Sequence, residues 1–122
     1  MQSNNITVVY KWIAKPGQLE TLMGIYRQVT DQMKANEPGA TEVQVYVSKA
    51  ENALYVRDEF AHAGALAAHL TDTAAAHFPS LLEIATPGPF LFFGDVPEQL
   101  QQATKQMGLA SEFGLHVAGF TR

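Results

Sequence analysis

The chain of 122 residues contains no cysteine. It can therefore form neither a disulfide framework nor a thiolate metal site, and it offers no thiol nucleophile. A basic segment followed by an apolar run is missing near the N-terminus, and nowhere do about 18 consecutive apolar residues occur that would span a membrane. We therefore expect a cytoplasmic protein without a membrane partner.

Charge is scarce as well, because only 16% of the residues are charged and the net charge is -4. Lysine and arginine gather on no single face, which nucleic-acid binding would require, so we expect no nucleic-acid partner. Hydrophobic residues, in contrast, make up 47% of the chain, which favours burial of some apolar surface against a second copy. The length predicts a single domain, residues 1–122.

Glycine-rich phosphate-binding loops are also missing, since the nine glycines form neither G-x-G-x-x-G nor G-x-x-x-x-G-K. The G-x-S-x-G turn of serine-dependent acyl transfer does not occur either. These absences leave nucleotide cofactors and serine hydrolysis without support.

Apolar periodicity predicts the first elements. "ITVVYKWIA" at 6–14 is rich in β-branched and aromatic residues and predicts a strand that is apolar on both faces. Apolar residues at helical spacing over 19–33 predict a helix that ends at "NEPG". "TEVQVYVSKAENALYVRDEF" at 41–60 predicts a hairpin in which Ser48 lies opposite Ala53.

The two faces of this hairpin differ in composition. The aliphatic face, which we expect to lie against the helices, contains Val43, Val45, Val47, Leu54 and Val56. The other face contains Gln44, Tyr46, Tyr55, Arg57 and Glu59. Such a mixed face is typical of a protein–protein interface, but it also fits an ordinary solvated face of an antiparallel sheet.

Residues 61–84 favour helix, with a pause at "TDT", where Thr71 or Asp72 can cap a new helix, and a bend near Phe78 ahead of Pro79. "FLFFGD" predicts a strand, and "SEFGLHVAGF" predicts a last one. Between them, a capping box of Asp95 and Glu98 predicts a helix closed by Gly108.

The resulting order is β-α-β-β-α-β followed by a helix and a strand. This order predicts an α+β, ferredoxin-like fold with a C-terminal α-β extension. We expect residues 1–95 to form the core of the domain and residues 96–122 to form the extension.

Three of the four histidines, His62, His69 and His77, fall in the alanine-rich segment 60–78. The seven residues from His62 to His69 correspond to about 10.5 Å along a helix. Zinc–nitrogen bonds are about 2.1 Å long, so these two side chains cannot share an ion on a continuous helix. No H-E-x-x-H, H-x-H or carboxylate pairing occurs nearby, and we therefore predict no metal site.

Helical spacing places Leu66 and His69 on one side of the helix, and Phe60 can wall the same cavity. His69 is thus the histidine expected to face inward, whereas His62 and His116 are expected on the surface. In an apolar pocket His69 could act as a general base. It could equally be a hydrogen-bonded histidine of the core or of an interface, because burial alone does not create catalysis.

The element order and the stretch "YVRDEFAHAGALAAHL" at 55–70 resemble the antibiotic biosynthesis monooxygenase domain, a family of dimeric α+β barrels. Its members often have an acidic residue, an aromatic residue two positions later, and Ala-Leu-x-x-His in the following helix. The matching residues here are Asp58, Phe60, Ala65, Leu66 and His69. "KPGQLE" before the long helix is also similar, and the ending resembles an extension found in a subset of the family.

The resemblance implies a homodimer packed through its sheet faces, with Tyr46, Tyr55 and Arg57 near the partner, and a pocket between each sheet and its helices. Enzymes of this family oxidise quinols or polycyclic phenols with molecular oxygen and need neither metal nor flavin, so no cofactor is expected. Other members degrade haem with an Asn, Trp and His trio. The one tryptophan, Trp12, lies in the first strand, which disfavours haem degradation, and Phe60 stands where the enzymes often have tryptophan.

Three hypotheses follow. The first is a cofactor-independent monooxygenase of a quinol-like or polycyclic phenolic molecule, with His69 as base or hydrogen-bond donor and His77 as a second polar catalytic group. The second is a non-catalytic dimeric module that binds a small apolar or aromatic ligand, and the third is a structural dimer whose pocket is filled by its own side chains. The residues expected to bind the ligand are Tyr26, Phe60, Leu66, Phe78 and Phe92.

Overall fold

The computed structural model describes residues 4–122. In chain order the elements are β1 Ile6–Ala14, α1 Leu19–Asn36, β2 Ala40–Ser48, β3 Ala53–Phe60, α2 Ala63–His69, α3 Ala75–Ile84, β4 Ala85–Pro87, β5 Phe90–Phe93, α4 Glu98–Gln106 and β6 Ser111–Gly114. This order confirms the predicted one and adds the short strand β4. In the part of the chain that is described, no helix is long and apolar enough to cross a membrane.

The strands form one mixed sheet in the order β2-β3-β1-β5-β6, with β4 paired to β1 beside β5. All pairs are antiparallel except β5 with β6, which α4 connects as parallel neighbours. This is the predicted ferredoxin-like α+β arrangement, extended by one strand at the edge of the sheet. β1 occupies the centre, so its side chains are covered on one face by the helices and partly shielded on the other.

The hairpin has the predicted register, with Ser48 opposite Ala53. Asn52 supplies the positive φ that the turn needs, and its side-chain amide donates to the carbonyl oxygen of Ala14 at 3.0 Å. Leu54 and Val56 on β3 are buried beneath the helices, as expected for the aliphatic face. On the edge strand β2 that face is only partly covered and forms the floor of an open groove beside α1.

The segment between α2 and α3 differs from the prediction. Residues 70–74 form a π-helical turn, so the helix runs on through "TDT" without a new cap. Thr71 donates its hydroxyl to the carbonyl oxygen of Ala67 at 2.9 Å, four residues back, which keeps its side chain on the helix instead of capping the next one. His62 caps the N-terminus of α2, because its Nδ1 accepts a hydrogen bond from the Ala65 N–H. The residue is exposed, as predicted.

The capping box predicted for α4 is wrong. The helix begins at Glu98 itself, so Asp95 lies too far ahead to reach the first free N–H groups, and Pro97 precedes the helix without a side-chain bond. Gly108 ends the helix region with a φ of 82°, as predicted. The last strand is confirmed only for residues 111–114; the rest of the tail, including His116, is exposed.

Gly94, directly after β5, gives a test of this fold. Its φ is 128°, and a Cβ atom there would lie 2.7 Å from the carbonyl oxygen of Asn5. We predict that Gly94→Ala lowers the free energy of unfolding by about 3 kcal/mol, because backbone strain and a clash with main chain act together. Urea denaturation measures this loss.

Gly17→Ala is the matched control. Gly17 also has a positive φ, of 78°, but no atom lies within 4 Å of the added Cβ. In this variant the free energy of unfolding should fall by about 1 kcal/mol, from backbone strain alone. Equal losses in the two variants would contradict the close approach at Gly94.

Candidate functional site

A small, partly enclosed cavity lies between the sheet and the helices. The centre of a water molecule could occupy a volume of about 50 Å³ inside it. Seven lining residues are those named from the sequence: Tyr26, Phe60, Leu66, His69, His77, Phe78 and Phe92. The fold therefore brings together all of the predicted site residues, although they come from α1, β3, α2, α3 and β5.

Aromatic rings form most of the floor and the far wall. Tyr10 stacks on Phe90 with ring centres 4.5 Å apart, and Trp12 meets Phe78 edge-on at 5.8 Å. From the C-terminal extension, Met107 and Leu109 also line the cavity. The lining is thus mostly apolar, and water inside it would find few partners.

His69 forms a hydrogen-bonded pair with Glu37, which lies between α1 and β2. The Nδ1 atom is 3.1 Å and 3.2 Å from the two carboxylate oxygens, and both side chains are at least nine-tenths buried. Thr73, in the π turn, also donates its hydroxyl to Glu37. An ionised carboxylate only accepts, so Nδ1 must carry the hydrogen. Nε2 has no hydrogen-bond partner among residues 4–122.

Competing effects set the pKa of Glu37. Burial alone would raise it, but the hydrogen bonds from His69 and Thr73, together with the charge of His69, outweigh burial and lower the pKa. Glu37 is therefore ionised at neutral pH. In this state it holds one tautomer of His69 and can stabilise the imidazolium that forms when Nε2 takes a proton.

His77 occupies a less enclosed position than His69. Its Nε2 is hydrogen-bonded to the side-chain carbonyl oxygen of Gln32 on α1, and the residue is half-buried at the edge of the cavity. The Phe60 ring, in contrast, lies deep in the site with its centre 5.3 Å from that of the His69 ring. The two predicted catalytic histidines thus lie at different depths.

A buried carboxyl group completes the site. Asp58, on β3, points to the helix side of the sheet and is 2% exposed. Its Oδ2 accepts a hydrogen bond from the Tyr10 hydroxyl at 3.0 Å, and the Tyr26 hydroxyl donates in turn to Tyr10 at 3.4 Å. Burial raises the pKa of Asp58 to about 6, although the charge of His69 and the bond from Tyr10 oppose this effect.

Two buried side-chain atoms in the described part of the chain have no hydrogen-bond partner, Asp58 Oδ1 and Trp12 Nε1. Both residues line the cavity. Burial raises the pKa of Tyr26, and the nearby Trp12 N–H has a smaller effect that lowers it. The Trp12 N–H does not, however, meet the geometry of a hydrogen bond to the Tyr26 hydroxyl. One buried donor and one buried acceptor of the lining residues are therefore unpaired, in addition to the Nε2 atom of His69.

The sequence reasoning missed four of these polar residues as site residues: Tyr10, Trp12, Glu37 and Asp58. A signal existed for Asp58, because it interrupts the inward-facing apolar series of β3 at every second residue. Glu37 gave no such signal. It lies in the turn "NEPG", 32 residues from His69, and only the fold brings the two together.

Several solved structures resemble the fold of this chain. MupZ from Pseudomonas fluorescens has a TM-score of 0.82 at 15% identity, covering 100% of this chain and 92% of that one. A candidate antibiotic biosynthesis monooxygenase from Caulobacter crescentus CB15 has a TM-score of 0.68 at 24% identity, covering 78% and 92%. SnoaB, a cofactor-independent oxygenase from Streptomyces nogalater, in its N63A mutant, has 0.65 at 14%, covering 76% and 94%. The chain has the fold of the antibiotic biosynthesis monooxygenases.

No protein-family model matches the chain, and no curated protein matches it in sequence. The likeness to the antibiotic biosynthesis monooxygenases therefore rests on the fold. The Caulobacter and Streptomyces structures cover about three quarters of the chain, whereas MupZ covers all of it.

The raised pKa of Asp58 has a consequence for stability. Between about pH 4, where an unfolded aspartate loses its proton, and about pH 6, the folded state still holds it. The free energy of unfolding contributed by this group must therefore fall as the pH rises through that window, by up to about 3 kcal/mol. We predict that the free energy of unfolding of Asp58→Asn, relative to that of the unmodified protein, is higher at pH 7 than at pH 4. Urea denaturation at the two pH values measures this difference.

Asp95→Asn serves as the control, because Asp95 is an exposed residue. The difference in the free energy of unfolding between Asp95→Asn and the unmodified protein should be nearly the same at pH 4 and at pH 7. If Asp58→Asn shows the same difference at pH 4 as at pH 7, Asp58 is not a carboxyl group with a raised pKa.

Proposed function

We propose that this protein is a cofactor-independent monooxygenase of a quinol-like or polycyclic phenolic molecule. The observation that supports the proposal most is the Glu37–His69 pair, because His69 lines an apolar cavity and its Nε2 atom has no hydrogen-bond partner among the described residues. The fold is shared with SnoaB, a cofactor-independent oxygenase. A cytoplasmic location is part of the proposal.

In this proposal, His69 Nε2 takes the proton of the substrate hydroxyl, and Glu37 stabilises the resulting imidazolium. The phenolate that forms is electron-rich enough to reduce molecular oxygen directly, so the protein supplies position, dryness and a base. The Trp12 N–H, which has no partner, would donate to the substrate oxygen as it becomes negative. His77 would hold a second polar group of the substrate near the cavity edge.

Ligand entry requires the cavity to widen. Its volume of about 50 Å³ is far below the roughly 300 Å³ of a typical small-molecule site. Leu70 and Ala74, in the π turn, form part of the wall. We propose that this turn moves outward, because π turns inside helices are frequent at functional sites and carry less regular hydrogen bonding. Phenols of one or two rings require the least movement.

The second hypothesis, a dimeric module that binds a small apolar or aromatic ligand without changing it, is favoured by one observation: the lining is mostly apolar. A ligand that raises the melting temperature and is recovered unchanged would support it.

The third hypothesis, a structural dimer with a filled pocket, agrees with the small volume of the cavity. It leaves the unpaired Asp58 Oδ1 and Trp12 Nε1 unexplained, since a filled core normally satisfies its polar atoms.

We also propose that two copies pack through the sheet face that points away from the helices. On this face Tyr46, Ile13 and Phe93 are 58%, 42% and 44% exposed, a large apolar area for a solvated sheet. Arg57 lies among them, bonded to Glu42 and to Glu59. Residues 1–95 would form the dimeric core, and residues 96–122 would form the extension that closes the cavity.

The activity can be tested by oxygen uptake with a panel of hydroquinones and phenols. We predict consumption above the buffer rate, and a loss of at least about 100-fold in His69→Ala, because the base is gone. His116→Ala is the control, since His116 is an exposed histidine of the tail. An unchanged rate in His69→Ala, or no uptake by the unmodified protein, would contradict the proposal.

The dimer can be tested by sedimentation velocity. We predict a dimer for the unmodified protein and a monomer for the Tyr46→Asp, Phe93→Asp double variant, because two buried charges would be left unpaired in the interface. Leu82→Asp is the control: Leu82 is 44% exposed but lies on α3, away from this sheet face. A monomeric unmodified protein would rule out the dimer, and dissociation of the control would place the interface elsewhere.

A further inference from the structure

A monooxygenase that uses no cofactor needs more than one proton transfer, and His69 accounts for only one of them. Reduction of oxygen by the substrate anion produces a peroxide, which must be protonated before its O–O bond breaks. The site therefore requires an acid as well as a base. Asp58 also lies in the cavity wall, is 2% exposed, and has one carboxyl oxygen without a hydrogen-bond partner among the described residues.

The bonding of Asp58 is incomplete. Oδ2 accepts from Tyr10, whereas Oδ1 is buried and has no partner among the described residues. Leaving a buried carboxyl oxygen unpaired costs about 1–3 kcal/mol or more, so structure alone would favour a partner for it. Asp58 lines the cavity, and we infer that the missing partner is a group that enters the cavity when it widens.

We propose that Asp58 is a second catalytic residue, the acid that protonates the peroxide through Oδ1, while His69 is the base that acts on the substrate. This inference rests on the proposed monooxygenase function. It assigns the two proton transfers to two groups that lie in different walls of one cavity, Asp58 in the sheet and His69 in α2.

The surroundings of the two groups support this division. Burial raises the pKa of Asp58 to about 6, so that it keeps its proton up to about that pH, whereas Glu37 has a lowered pKa and stays ionised beside His69. Environments that push two pKa values apart are typical of acid and base partners. The polar groups that face Asp58 are Tyr10 from β1, Tyr26 from α1, Glu37 after α1 and His69 from α2.

The steps balance for a substrate with a methylene group, such as anthrone, the keto form of the polycyclic phenol anthrol. His69 takes one proton from the ring system, and the carbanion gives two electrons in turn to dioxygen, forming a C–O bond and a peroxide anion. Asp58 protonates the outer oxygen. The Asp58 carboxylate then removes the second hydrogen of that carbon as a proton, and the C=O bond forms as the O–O bond breaks.

The departing hydroxide takes the proton from His69 and leaves as water. Both side chains then return to their starting states. The net reaction converts one methylene group and one molecule of dioxygen into one carbonyl group and one molecule of water, with dioxygen as the oxidant.

The test uses the purified full chain with anthrone at pH 5 to 8. Without oxygen, ultraviolet–visible absorption reports the anthrol anion, which needs only the base. With oxygen, uptake reports the whole reaction. For Asp58→Asn we expect the anion to form as in the unmodified protein and oxygen uptake to be at least about 100-fold slower. Asp95→Asn is the control and should behave as the unmodified protein.

Tyr10→Phe provides a second readout. The unmodified protein should lose kcat/KM as the pH rises through about 6, when Asp58 gives up its proton. Removing the Tyr10 hydroxyl takes away a bond that favours the carboxylate, so this loss should move to higher pH. A merely structural role of Tyr10 would lower the rate without moving the pH dependence.

The outcomes separate the two proposals. If the unmodified protein forms no anion and consumes no oxygen above the buffer rate, the proposed function fails, and the role of Asp58 fails with it. If it consumes oxygen and Asp58→Asn does so at the same rate, the role of Asp58 alone is overturned. Loss of anion formation in Asp58→Asn would also overturn it, because Asp58 would then act before oxygen.

Discussion

The site depends on the burial of one carboxyl group. Asp58 lies on a central strand among apolar side chains, and it is removed from water by the helices above it. Such a group is tolerated because the Tyr10 hydroxyl bonds to it and because the His69 side chain lies close enough to lower its pKa. The cost of burying the charge is what raises the pKa of Asp58, and the same burial strengthens each electrostatic interaction in the cavity.

The geometry follows from the register of three neighbouring strands and the short connection after one of them. Alternation along β3 points Asp58 and Phe60 to the same side of the sheet. α2 starts only two residues after β3 ends, so His69, at the end of α2, returns over that side, where its ring lies 5.3 Å from the Phe60 ring. Glu37 then meets His69 from the turn after α1, and Thr73 meets Glu37 from the π turn. A short loop and a strict side-chain alternation thus create the acid–base arrangement.

Much of the fold could be predicted from the sequence, because hydrophobic periodicity reports burial directly. The order of the elements along the chain, the register of Ser48 with Ala53 and the inward position of His69 depend on that signal. The π turn could not be predicted, since the hydrogen-bond shift that creates it leaves no mark in composition. The partner of His69 was also out of reach, because a contact between residues 37 and 69 depends on how α1 and α2 pack, whereas a spacing rule concerns residues on one element.

The extension and the core share one cavity. Phe113, on β6, stacks on Phe92 with ring centres 5.2 Å apart, and Met107 and Leu109 form part of the cavity lining. The Caulobacter and Streptomyces structures cover about three quarters of the chain, whereas MupZ covers all of it, the extension included. The boundary predicted near residue 95 therefore does not divide the cavity, because residues on both sides of that position form the apolar wall around Asp58.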